Sequence, residues 1–355
     1  METTMTDRLK HEFRDEVMLK KDKLLPSVFH LDTGRMKTRW IMDRSDINPE
    51  TGPYAVHKLQ WNYTQNKYEK IYLTSSEPMY CLDDEPITTD PKHIRLIINQ
   101  LDHSFRMNDR DNCISIADWL LHHQCGYQLF HKLTDMVCRF STVTSSYSTM
   151  VWLMIMFKAY PNMEFDYSRI FGVIEELFYP LGVDNYQNNV TIKHDSSPVN
   201  IIGNLPMSVD ERNQLWAIHL RKDFCSTSQE AVGIDKMLYG WLIKIQNKDP
   251  MVVMLTHDDY VGSEIDEKTE IDPPELTYHC IKTPSLWKTV SRITKLDLNR
   301  VEWIVNTYRD QTTTRPRMYL TEKTKDPSHY DRVWEIIEPV VTEESIKLLE
   351  KVELD

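Results

Sequence analysis

Residues 117–159 read ADWLLHHQCGYQLFHKLTDMVCRFSTVTSSYSTMVWLMIMFKA. Ala117, Leu120, Leu121, Cys125, Leu129, Leu133, Met136, Val137 and Phe140 recur at helical spacing, and Gly126 marks a possible break in the run. The segment 147–159 that follows is apolar at every position from Met150 to Phe157, so it reads as buried rather than amphipathic. Its eight-residue apolar run is the longest in the chain, far below the roughly 20 residues that span a bilayer. A helical core is therefore expected at the centre of the sequence, over 91–250.

Outward from that core the texture changes on both sides. Met5, Leu9, Phe13 and Val17 recur every four residues, which predicts an amphipathic helical arm over 1–30, closed by Pro26. Between 31 and 90 the pattern is that of strands. Arg39–Met42, Tyr54–Tyr63 and Lys70–Leu73 are separated by turn material at 48–53 and 64–67, which predicts a three-stranded meander. Two capping boxes, Ser208 with Glu211 and Thr227 with Glu230, predict helix starts within the core region.

The C-terminal region, 251–355, reads as mixed. Met251–Leu255, Leu276–Ile281 and Arg317–Leu320 are candidate strands. Thr283–Pro284 is a cap followed by proline at the first helical position, and Val301, Ile304, Val305 and Tyr308 continue in helical spacing. Two last helices are expected at 328–338 and 343–353, parted by Pro339. An acidic loop, 257–275, carries Asp258, Asp259, Glu264, Asp266, Glu267, Glu270, Asp272 and Glu275 against a single Lys268. The expected class is α+β and helix-rich: an N-terminal helical arm and β-meander, a central helical bundle and a mixed α/β C-terminal part.

Composition narrows the function. Glycine is rare, 9 in 355 residues, against an average of about 7%. Folds that cradle phosphates or nucleotides use glycine where backbone must approach ligand closely. No GxxxxGK[ST], GxGxxG, GxSxG, HExxH or EF-hand pattern occurs. Met (17), Tyr (17) and Trp (9) are plentiful, which suits broad contact surfaces and is also common in proteins of RNA viruses. The six cysteines include no CxxC pair, and the N-terminal segment lacks a secretory pattern, so reduced thiols in a cytoplasmic setting are expected, either host cytoplasm or virion.

The net charge of −12 argues against wholesale nucleic-acid binding but not against a local site. Between 31 and 72, seven cations face five anions and aromatic residues interleave. Arg35, Lys37, Arg39, Lys58, Trp61, Lys67 and Lys70 are the candidate nucleic-acid contacts there, since cations neutralise phosphates and rings stack bases. A second basic stretch, 288–332, holds ten cations against six anions, and its 312–317 loop offers hydroxyls beside Arg315 and Arg317. The opposite-signed acidic loop of another copy is a further candidate partner for it.

Two constellations suggest chemistry. His257–Asp258–Asp259 has the residue types of a metal or acid–base cluster, and His219, Asp223 and Cys225 those of a nucleophile set. The group His122, His123, Cys125, His131 and Cys138 has ligand types without paired metal-site spacing. No cofactor, no metal and no catalytic residue is assigned.

The leading expectation is a self-associating structural protein, viral in character, of a virion, nucleocapsid or replication complex. Its arm would dock Met5, Leu9, Phe13 and Val17 on a neighbouring subunit, with homo-oligomers or other structural proteins as partners and no membrane span. The alternatives are an RNA-binding protein using the meander and the Arg315–Arg317 loop, and a metal-dependent enzyme at His257, Asp258 and Asp259.

Overall fold

A computed structural model describes residues 13, 28–41, 53–62, 67–80, 87–140, 146–178, 209–228, 230–235, 238, 242, 271–309 and 327–352. Four strands come first: β1 (Val28–Asp32), β2 (Lys37–Ile41), β3 (Ala55–Asn62) and β4 (Lys67–Ser75). The helices follow as α1 (Pro91–Met107), α2 (Arg110–His122), α3 (Gly126–Phe140), α4 (Tyr147–Ala159), α5 (Tyr167–Glu175), α6 (Val209–Lys222), α7 (Pro284–Thr294), α8 (Leu298–Arg309) and α9 (Pro327–Leu349). The class is the helix-rich α+β expected from the pattern of the sequence.

The chain divides into two compact units that are discontinuous in sequence. One combines residues up to 86 with 124–269, the other 87–123 with 270–355. The first holds the sheet with α3 to α6, the second α1, α2 and α7 to α9.

The sheet differs from the meander expected. It has four strands in the order β2-β1-β4-β3, with β1 and β4 parallel at its centre and both outer pairs antiparallel. Val28–Asp32 is the additional strand, and it begins inside the stretch read as the helical arm. The order has a physical cause in β4. Ile71, Tyr72 and Leu73 are each 0% exposed, and Thr74 and Ser75 are buried beside them. A strand buried on both faces belongs in the middle of a sheet, so β4 inserts beside β1 rather than extending the edge.

One face of the sheet is covered by helices. Phe29 and Trp40 stack on it at 4.4 Å. Trp152 of α4 donates from Nε1 to the Phe29 carbonyl at 3.1 Å, and Thr38 donates to Ser148 of α4 at 2.7 Å. Asn213 of α6 accepts the Trp40 N–H at 3.1 Å. Helix α4 is buried at every position from Tyr147 to Phe157, as its uninterrupted apolar run requires. Its other side receives α3. The break expected at Gly126 separates α2 from α3, with Gln124 in the left-handed region at φ 57°. Gly126 then lies against Phe157 of α4, where a Cβ would come within 2.6 Å of the ring.

In the second unit, Leu96 of α1, Leu286 and Val290 of α7, Ile304 of α8, and Ile337 and Val341 of α9 share one core. The Thr283 cap and Pro284 open α7 as expected, the threonine Oγ1 accepting from the Leu286 N–H. Leu276–Ile281 is not a strand. Its backbone is held by side chains instead. Asn112 accepts from the Glu275 N–H and donates to its carbonyl, Gln100 accepts from the Thr277 N–H, and a 3-10 turn follows at Tyr278–Cys280. The two terminal helices expected around Pro339 are one continuous helix, α9. Ile337 and Val341, one turn apart and 0% exposed, anchor the helix on both sides of the proline. Core burial outweighs the lost hydrogen bond. Met251–Leu255 and Arg317–Leu320 lie outside the described residues, as does Ser208.

The close approach at Gly126 yields a test. Gly126→Ala drives a methyl into a buried ring and is expected to cost about 1–3 kcal/mol by thermal or urea unfolding. In a double-mutant cycle with Phe157→Leu the losses are expected to be less than additive, because the smaller side chain makes room.

Candidate functional site

Sheet register decides which of the candidate cations share a surface, since directly paired residues point to the same side. Lys58 pairs with Lys70, Val56 with Tyr72, Tyr72 with Val28 and Val28 with Ile41. Arg39 pairs with His30, His30 with Thr74, and Lys37 with Asp32. All of these lie on the face opposite α4 and α6. An apolar row, Val56–Tyr72–Val28–Ile41, therefore runs between the Lys58–Lys70 pair on one side and Arg39 and Lys37 on the other. Lys37, Arg39 and Lys58 are exposed and Lys70 is half-buried.

The apolar row is not open. Phe13 of the N-terminal arm is 1% exposed and meets Tyr72 edge-on at 5.0 Å, within a cluster with Val28, Ile41 and Val56. The one described residue of the predicted docking stripe thus lies on the chain's own sheet. Met5, Leu9 and Val17 lie outside the described residues. Tyr72 is 0% exposed beneath Phe13, so the face offers cations to a ligand and not that ring. Beside the row, His30 Nδ1 lies 2.9 Å from Thr74 Oγ1. Burial, followed by the nearby Arg39 guanidinium, lowers the His30 pKa, which keeps it neutral and leaves the positive charge to the arginine and lysines.

Arg35 sits in the β1–β2 turn, its N–H donating to Asp32 at 3.2 Å, with its side chain in solvent. Trp61 and Lys67 fall within β3 and β4. Arg315, Arg317, His257, Asp258 and Asp259 lie outside the described residues.

A second concentration of polar groups lies at the C-terminal end of α6. Arg221 is 0% exposed. Its Nε donates to Thr134 at 2.8 Å, Nη2 donates to the His131 carbonyl at 3.3 Å and pairs with Glu230, and Nη1 points to the Cys225 sulfur at 3.9 Å. Glu230 also accepts from the Ser226 N–H at 2.8 Å, while its own N–H donates to Thr227 at 3.1 Å. The Thr227 half of the capping box read from the sequence is thus present, while the Glu230 carboxylate reaches back to Ser226 rather than to the Thr227 N–H and serves Arg221 as well. Burial alone would raise the Glu230 pKa; the Ser226 N–H and Arg221 outweigh it and hold it low. A buried guanidinium with a contact at every nitrogen is a structural lock.

This environment overturns the nucleophile set. Burial pushes the Cys225 thiol up to about 11, so it is protonated at neutral pH and unreactive. Burial pushes His219 down to about 4, and Asp223 Oδ2 lies 3.2 Å from His57 Nε2. His122, His123 and His131 each place a ring nitrogen on a backbone carbonyl, those of Asp118, Trp119 and Phe224 at 3.0, 2.7 and 3.0 Å. Among the described residues no three His, Cys, Asp or Glu side chains converge as metal ligands would, and no helix is long and apolar enough to cross a membrane.

Sequence reading missed the Arg221–Glu230 pair. The T-x-x-E signature announced Glu230 as a cap, but nothing local announced that an arginine nine residues earlier would use it too. No family model, curated protein or solved structure matches this chain.

Acid should act on this end of the molecule through His219. Its folded pKa, about 4, lies below the ordinary 6.5, so the unfolded chain takes up the proton first. Its contribution to stability is whole above pH 6.5 and is lost as pH falls toward 4, by roughly 3 kcal/mol at most. Urea midpoints measured across that window are expected to fall less steeply for His219→Phe than for the parent. The Glu230 contribution, from a carboxyl held below its ordinary value, is lost as pH falls through that ordinary value, so most of the His219 loss precedes it.

Proposed function

We propose that the protein is a non-catalytic binding protein whose sheet face opposite α4 and α6 engages the phosphate backbone of RNA through its exposed cations, as a component of a nucleoprotein or replication complex. The observation that supports this is the convergence of Lys37, Arg39, Lys58 and Lys70 on one face of the sheet, in a chain whose net charge is −12.

Energetics favour a binding role over a solvated surface. Lys58 and Lys70 stand directly opposite each other across β3 and β4. Like charges so placed cost about 0.2–1 kcal/mol relative to a neutral pair. A polyanion laid over the face removes that repulsion and releases its own counterions. Because Tyr72 is covered by Phe13, the ligand is held through phosphates rather than stacked bases, and little sequence preference follows.

The test is binding of a single-stranded RNA homopolymer, followed by fluorescence anisotropy over a salt series. Log affinity should fall linearly with log salt. Lys58→Thr and Arg39→Gln should each weaken binding and reduce the slope by about 0.7, the contribution of one phosphate contact on a single strand. Lys58→Thr should also raise the melting temperature slightly, since a threonine opposite Lys70 relieves the repulsion. Binding that is insensitive to salt or to both substitutions would reject the proposal.

A further inference from the structure

We infer that the second compact unit carries its own RNA-phosphate contact, the outer stripe of helix α7 formed by Lys288, Arg292 and Lys295. This rests on the RNA reading of the sheet face but on different residues in a different unit.

The inward side of α7 is settled by Leu286, Trp287 and Val290, all buried in the core of that unit. Lys288, Arg292 and Lys295 are exposed. Lys288 and Arg292 lie one turn apart on the helix, and Lys295 follows as its C-cap residue. The helix has no acidic residue anywhere between Pro284 and Thr294. Among the described residues, none of the three cations takes part in an ion pair.

Other helical cations of this chain are paired. Lys347 on α9 of the same unit pairs with Glu343 at 2.7 Å and Glu344 at 3.0 Å, and Arg169 on α5 pairs with Asp166 at 2.9 Å. On α7 Lys288 has the like-charged Arg292 one turn away, a pairing that costs about 0.2–0.5 kcal/mol, and Lys295 adds a third cation at the C-cap. The helix dipole favours Arg292 and Lys295 in the last turn but gives nothing to Lys288, which is mid-helix. Lys295 also takes the left-handed C-cap position, φ 60°, where glycine or asparagine is the unstrained choice. Charge concentrated at a cost to stability, in an acidic protein, fits an anionic partner. Cations one turn apart, with a third at the helix end, fit the repeating charge of a phosphate backbone.

The test is the triple variant Lys288→Gln, Arg292→Gln, Lys295→Gln in the full chain, titrated with the same RNA homopolymer. Gln keeps helix propensity, and thermal unfolding should be equal to or above that of the parent. Loss of three phosphate contacts should reduce the salt slope by about 2. The reduction should add to that from Lys58→Thr with Arg39→Gln, because the residues are separate. Lys347→Gln, which removes a cation already paired, should change nothing. If the sheet variants weaken RNA binding and the triple variant does not, the inference is overturned and the sheet reading stands. If no form of the protein binds RNA, both fall. If the triple variant instead abolishes a salt-sensitive self-association measured by light scattering, with RNA affinity unchanged, the stripe serves another copy's acidic 257–275 stretch and the inference is again overturned.

Discussion

Helix α4 is the member on which the first unit depends. It is buried from Tyr147 to Phe157, and it has to satisfy a sheet on one side and a helix on another with a single set of side chains. Trp152 meets this demand by filling volume and closing a hydrogen bond to the Phe29 carbonyl at 3.1 Å on a strand already in its ladder. Gly126 meets it from the other side by omitting a side chain where Phe157 needs room. With that face of the sheet fully occupied, any ligand must use the other, which is where the cations stand.

Both surfaces argued to be functional have the same physical signature. They set like charges next to each other where the fold would be more stable without them, Lys58 against Lys70 on the sheet and Lys288, Arg292 and Lys295 along α7. The buried Arg221 is the instructive contrast. It carries the same kind of charge, yet each of its nitrogens is answered within the unit by Thr134, the His131 carbonyl, Cys225 or Glu230. Charge answered in this way holds the fold together.

How far the sequence could be read follows from the range of each interaction. The helices at 117–159, the Thr227 and Thr283 caps and the class of fold are local, and local pattern revealed them. Sheet order is not local: Val28–Asp32 is a short strand next to a proline, and only the burial of Ile71–Leu73 explains why β4 lies beside it. Pro339 predicted a helix end because its own chemistry does, but the core contacts of Ile337 and Val341 override it. Leu276–Ile281 has the alternation of a strand, and instead Thr277 and the preceding Glu275 pair with the side-chain amides of Gln100 and Asn112, partners far away in sequence. For the candidate site the residue types were legible and their convergence was not. That Lys37, Arg39, Lys58 and Lys70 share a face is a property of register. That Phe13 covers Tyr72 is a property of the tertiary fold.

The discontinuity of the two units bears on how the chain comes to be folded. Leu96 belongs to a core completed by Ile337 and Val341, near the opposite end of the sequence, and the polypeptide of the first unit is threaded between them. As the chain emerges from a ribosome, α1 and α2 are made early and must wait for α9 with their apolar sides unmet. The entropy of closing so long a loop grows only slowly with its length, so the penalty is one of time rather than of final stability. During that wait the nascent helices are a natural ligand for chaperones, and the sheet unit, whose residues after 124 are synthesised in the interval, can fold before the other is complete.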